Sequence, residues 1–300
     1  MDKGRIRVGL SMIGSFIRAS HTVDPGQQEP GVAAQRQPAE HELSIGAMEW
    51  SLDAQVGLHE RFAIEILLPI RATIIDATFN DAAGDELEGF QSIHHRDETI
   101  SGVGDLVLSG RIALVLPKNV PRWTLFVRAG MSQPTGGIEP DPFIEGEGGH
   151  RHQHMFFGSG TYDPVLGLDT NVAFDRWSLV AWTTTRAALY ANRFGYRGST
   201  VVAGGAGAQS RFGLKRWAFL VQPEVYFETP AVWSGAEAKN SGRLSLIATA
   251  GVFATPAEGW QLYALAKIPY YTATRGGQLR WPVVGVLGFA RWFDLGGHAH

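Results

Sequence analysis

The sequence predicts an all-β fold, a transmembrane antiparallel up-and-down β-barrel of about twelve strands. Three observations predict it. Apolar and polar residues separate by odd and even position along most of the chain, short and long connections alternate, and an aromatic residue opens each strand that follows a short turn. The 300 residues are 44% hydrophobic yet include 37 glycines, a mixture that suits strands and turns better than helices. The longest apolar runs, such as the one from Ala63 to Ile70, carry a Glu or a Pro and fall far short of the roughly 18 residues a spanning helix needs. A helical membrane protein is thereby excluded. With 26 basic and 29 acidic residues the net charge is -3, so no basic field is available to attract nucleic acid. The absence of Cys removes disulfides, thiolate zinc sites and covalent haem attachment together.

The elements follow in order. From Arg5 to Ser20, Ile6, Val8, Leu10, Met12 and Phe16 alternate with Arg5, Arg7, Gly9, Ser11 and Ser15, a period of two. Lys3, Arg5 and Arg7 ahead of an apolar region superficially suggest a secretory signal, but the alternation and the lack of a small-residue cleavage site read as the first barrel strand. A signal is expected to have been cut off or left out. A second strand is expected from His41 to Gln55. On the third, Phe62, Ile64, Ile66, Leu68, Ile70, Ala72 and Ile74 occupy one face and Glu65, Arg71 and Thr73 the other. From Thr99 to Leu116 the even positions are apolar or Gly, opposing Thr99, Ser101, Asp105, Ser109 and Arg111, so one continuous face is expected to meet lipid. Further strands are expected from Trp123 to Ser132, Met155 to Phe174, Trp177 to Asn192, Arg197 to Phe212, Trp217 to Thr229, Ser241 to Ala254, Trp260 to Ala273 and Gln278 to Phe293.

Between them, short turns at 57–61, 117–122, 175–176, 213–216 and 255–259 alternate with connections at 21–40, 80–97, 134–154, 193–196, 230–240 and 274–278. Outer-membrane barrels have short periplasmic turns and longer external loops, although 193–196 and 274–278 are short for loops. Phe62, Trp123, Trp177, Trp217 and Trp260 follow the short turns and would form an aromatic girdle at the periplasmic interface. An even strand number returns both termini to the periplasm. Residues 1–293 are read as one barrel domain ending in Arg291, Trp292 and Phe293, which looks like the closing strand that barrel-assembly machinery recognises, and 294–300 as a short periplasmic tail.

Gly102, Val103, Gly104 and Asp105 lead an alternating strand, Pro134, Thr135 and Gly136 close the next, and residues 157–168 read FGSGTYDPVLGL. In these motifs the chain resembles the outer-membrane transporter family labelled "MetA-pathway of phenol degradation", best from about Thr99 to Phe293. The resemblance implies a barrel for passage of small, aromatic or hydrophobic compounds in a Gram-negative outer membrane, without phenol-degrading activity. The same glycines also have a plain structural use, relieving crowding where strands bend or bulge.

The alternation assigns to the lumen Glu65, Arg71, Asp105, Arg111, Arg128, Asp169, Arg186, Arg211, Glu224, Arg243 and Lys267, with Arg7, Glu49, Asp53, Glu228 and Arg280 beside them. Twelve strands enclose a narrow interior, since eight are filled by side chains and sixteen leave an aqueous channel. These charges either pair across and close it or line a slim pore. His150, His152 and His154 alternate ahead of Met155, and on an extended segment their rings would share a side suited to a divalent metal; no other cofactor is expected. No G-x-S-x-G elbow is present, and Ser159 near His154 and Asp163 is adjacency rather than a triad, so no catalytic residue and no enzyme is expected. The reading is a narrow channel or passive transporter for small solutes in contact with outer-membrane lipid. The alternative is a closed structural or scaffolding barrel that docks a protein partner through its loops or tail.

Overall fold

A computed structural model describes residues 3–22, 39–88, 90, 92, 95–117, 120–152, 155–212, 216–276 and 278–294. Twelve antiparallel strands form a closed barrel: β1 (Arg5–Thr22), β2 (Glu40–His59), β3 (Phe62–Asn80), β4 (Glu98–Val103, resuming as Leu106–Val115), β5 (Arg122–Gln133), β6 (Asp163–Ala173), β7 (Trp177–Arg186), β8 (Val201–Phe212), β9 (Trp217–Glu228), β10 (Arg243–Ala254), β11 (Trp260–Thr274) and β12 (Val284–Asp294). Each pairs with its neighbours in sequence, and β12 closes on β1 from Arg5↔Asp294 to Gly14↔Gly285. Asp294, assigned to the tail from sequence, is thus the last residue of the closing strand. The rest of that tail lies outside the described residues.

The period of two places large apolar side chains on the outer surface. Val8, Ile64, Leu108, Leu168, Phe219, Val221 and Phe289 are all exposed there. Burying such residues against lipid rather than against a second layer is what a spanning barrel needs, because pairing from strand to strand satisfies the backbone within the membrane. Trp123, Trp177 and Trp217 stand exposed beside the short turns, Trp177 stacks on Phe174 with centroids 4.1 Å apart, and Arg291 lies 4.8 Å over Trp260. These rings form the expected girdle.

Three expectations need correction. The strand from Thr99 to Leu116 is not one continuous face: Gly104 and Asp105 interrupt it, and the pairs Ile70↔Val103 and Leu67↔Val107 show one extra residue on β4. That bulge reverses the alternation, so Val103 is exposed while Ile100 packs inside, beside the buried cluster of Ile17, Leu43, Ile45 and Ile75. The expected strand from Met155 begins only at Asp163, because 155–162 turn into the barrel. The strands expected to run to Asn192 and to start at Gln278 stop at Arg186 and start at Val284. The connections 187–200 and 275–283 are therefore long, and all six connections at that end are longer than the five at the other.

β1, β2 and β3 are the longest strands. At about 3.3 Å per residue they run to roughly 60 Å, far beyond the ten or so residues a tilted strand needs to span. They rise on the long-loop side as a wall, and their upper inward residues carry the apolar cluster.

Candidate functional site: the barrel lumen

The lumen is built in two tiers. Nearer the short turns, Arg111 of β4 faces Arg128 of β5 directly in register. Two like charges directly opposite repel, and carboxylates from the flanking strands bracket them. Glu65 of β3 reaches Arg128 at 2.6 Å and Arg111 at 3.4 Å, while Asp169 of β6 lies 3.5 and 3.7 Å from Arg111 and Arg128. The Arg111 guanidinium also stacks 4.3 Å over Phe126. Toward the same end Arg7 of β1 pairs with Asp53 of β2 and lies over Trp292.

Higher up, the pairs become the floor of a cavity. Glu49 and Arg71 are register partners on β2 and β3, 2.7 Å apart. Across the lumen, Glu224 accepts from Lys267 and Thr249, both at 2.6 Å. Glu228 accepts from Tyr226 at 2.9 Å, Gln278 at 2.7 Å and Arg243 at 3.3 Å. Partly buried ions held this way have their charge matched and their lone pairs filled, which offsets desolvation.

The cavity above this floor has a volume of about 1480 Å³, and residues of the long connections line its upper part. One wall is the aliphatic cluster of Ile17, Leu43, Ile45 and Ile75, joined by Met155, Leu279 and Trp281. Opposite is a ring cluster in which Phe156, Tyr196 and Trp233 sit with centroids 4.7–5.7 Å apart. Such pairs are favourable beyond the area they bury.

The connection from 134 to 162 forms part of the roof, and the β4 bulge pins it. Asp105, 4% exposed, accepts from the Gly136 amide at 3.0 Å, the Ser159 amide at 2.7 Å and the Ser159 hydroxyl at 2.9 Å. Arg71 donates to the Phe157 carbonyl at 3.1 Å. Gly136 and Gly158 lie back to back: a Cβ on Gly136 would come within 2.6 Å of the Gly158 Cα, so neither position admits a side chain. The separate glycine motifs of the sequence thus meet at one point.

Of the expected lumen residues, Arg71, Asp105, Arg186, Glu224, Arg243 and Lys267 line the cavity. Glu65, Arg111, Arg128 and Asp169 form the lower cluster and do not. Arg211 is in β8, but its side chain lies outside the described residues; Arg280 is exposed in the last long connection rather than in the lumen. The Arg186 side chain lines the cavity and makes no hydrogen bond or ion pair to a described residue. The apolar walls escaped the sequence reading, which followed charges on the inward face. For Ile13, Ile17, Leu43, Ile45 and Ile75 the alternation itself was the usable signal; for Phe156, Tyr196 and Trp233, in irregular connections, there was none.

The histidine segment is not an extended strand. It follows α1 (Pro142–Glu147), and 150–152 have irregular backbone. His150 is 70% exposed with Nδ1 3.0 Å from a Glu145 carboxylate oxygen, and His152 Nδ1 is 2.9 Å from the His150 carbonyl. His154 lies outside the described residues. Among the described residues no group of three or more His, Asp or Glu is gathered for a metal. The Ser159 hydroxyl is committed to Asp105 and to the Thr161 carbonyl at 3.2 Å, which makes it a fastening of the roof.

No protein-family model and no curated protein matches the sequence. Solved structures do. An outer membrane channel from Pseudomonas putida F1 superposes with a TM-score of 0.66 over 98% of this chain and 97% of that one at 12% identity. A CymD monoaromatic hydrocarbon channel gives 0.44 over 100% and 90% at 9% identity, and a Pseudomonas aeruginosa FadL homologue 0.45 over 98% and 91% at 9%. At such identity the first of these likenesses shows the fold, which is that of an outer-membrane β-barrel.

Proposed function

We propose that the protein is a passive channel of a Gram-negative outer membrane for small aromatic or hydrophobic solutes, as the resemblance to the phenol-degradation transporter family also implies. The cavity carries this reading. Its walls carry an aliphatic and an aromatic cluster, residues of the long connections line its upper part, and four of its cationic side chains are paired with carboxylates. A pocket of this kind takes up an apolar body and orients it by a few polar groups. The barrel wall adds a second feature: Glu98–Val103 pairs with β3 on one side, and its other edge has no strand partner among the described residues.

The lower ion-pair cluster favours the second reading, a closed barrel that serves as a scaffold, because four inward charges on strands β3 to β6 are tied to one another below the cavity. Vesicles whose outer leaflet is lipopolysaccharide separate the two. A channel speeds benzamide entry over protein-free vesicles and gives conductance steps in planar bilayers; a folded barrel that does neither is a scaffold.

A further inference from the structure

Among the described residues six Lys or Arg side chains line the cavity, and their partners set one apart. Arg71, Lys267 and Arg243 are held by Glu49, Glu224 and Glu228, and Arg96 by Glu98 at 2.8 Å. Lys239 is exposed at the mouth. Arg186, half-buried at the inner end of the 187–200 connection, has no such partner among the described residues and presents its guanidinium to the cavity. A guanidinium drawn from bulk water without a counter-charge is costly, and a ligand that supplies the charge recovers that cost.

Arg186 sits beside the ring cluster. Burial pushes the Tyr196 phenol above its ordinary pKa, and the nearby Arg186 charge pulls it back down, while Glu228 and Asp163 push it up. An apolar aromatic surface and an unmatched planar cation therefore adjoin in one cavity. A guanidinium fork matches the two oxygens of a carboxylate. Asp163 and Glu228 disfavour negative charge at Tyr196, so among anions that reach Arg186 a singly charged one is opposed least.

Resting on the channel reading above, we propose that the cavity selects small aromatic monocarboxylates, with Arg186 receiving the carboxylate and Phe156, Tyr196 and Trp233 receiving the ring. Calorimetric titration of the detergent-solubilised protein at pH 7 with benzoate, benzamide and phenyl phosphate tests this. Benzoate is expected to bind about tenfold more tightly than its neutral isostere benzamide, and more tightly than phenyl phosphate. Arg186→Gln is expected to abolish the tenfold ratio by weakening benzoate far more than benzamide, and Arg186→Lys to keep part of it; the shift in electrophoretic mobility on boiling verifies folding of both. Equal affinities for benzoate and benzamide, a stronger phenyl phosphate, no binding at all, or an undiminished ratio in Arg186→Gln each overturn the proposal. Benzamide flux into vesicles is read in parallel: if it persists while the benzoate preference is absent, only the carboxylate selection falls, and if flux and conductance are both absent the channel reading falls with it.

Discussion

Asp105 joins the barrel wall to the folded-in connection by accepting three hydrogen bonds, and all three donors come from the segment bounded by Gly136 and Ser159. Its position in the β4 bulge is what turns its carboxylate toward the interior. Replacement by Ala leaves those donors unmatched in a site that water reaches poorly, at a cost on the order of 1–3 kcal/mol for each that stays orphaned. We expect Asp105→Ala to lower the urea midpoint of unfolding and to speed trypsin cleavage at Arg151, and Asp105→Asn, which keeps one acceptor oxygen, to fall between. A cleavage rate equal to that of the unchanged protein would show that the roof is held elsewhere. The sequence showed Gly102–Asp105 and FGSG as motifs, but their joint role was hidden because Asp105 and Ser159 lie 54 positions apart and no local pattern encodes their meeting.

At the scale of strands, most of the barrel was legible. On β9 the outward Trp217, Phe219, Val221, Val225 and Phe227 and the inward Gln222, Glu224 and Glu228 lie where alternation puts them. A bulge defeats that reading, because one extra residue reverses every later side chain, and Gly102 and Gly104 mark the place without giving its length. Two measurements check the assignment. Leu108, 46% exposed, faces outward, so Leu108→Arg is expected to cost about 2–4 kcal/mol near the bilayer midplane, while Ser109→Ala, facing in, is mild; equal costs would reverse the lower part of β4. Above the bulge, a Cys at Val103 is expected to react with a maleimide in detergent micelles several-fold faster than a Cys at Ile100. The opposite order would mean that β4 carries no bulge.

For the whole molecule, the channel reading makes the division of the lumen into an upper cavity with apolar walls and a charged lower tier the feature that selects solutes. The charges were readable from alternation, but their grouping depends on which strands are adjacent and in what register, and a single sequence does not display that. Arg111 and Arg128 face one another on neighbouring strands and are tolerable because Glu65 and Asp169 flank them, so the cluster is balanced at two charges of each sign. Glu65→Gln removes one negative charge and the shortest of these contacts, 2.6 Å to Arg128 Nε, without changing side-chain volume much. Both guanidiniums then gain freedom to turn from the axis, and the narrow tier is left with a net positive charge. Fixed charge in a constriction sets ion preference directly. In planar bilayers under a KCl gradient, Glu65→Gln is therefore expected to raise unit conductance and to move the reversal potential toward that of chloride, and the further change Asp169→Asn to move it more. An unchanged reversal potential in both variants would place the constriction outside this cluster, whereas a shift toward potassium would contradict the charge balance itself.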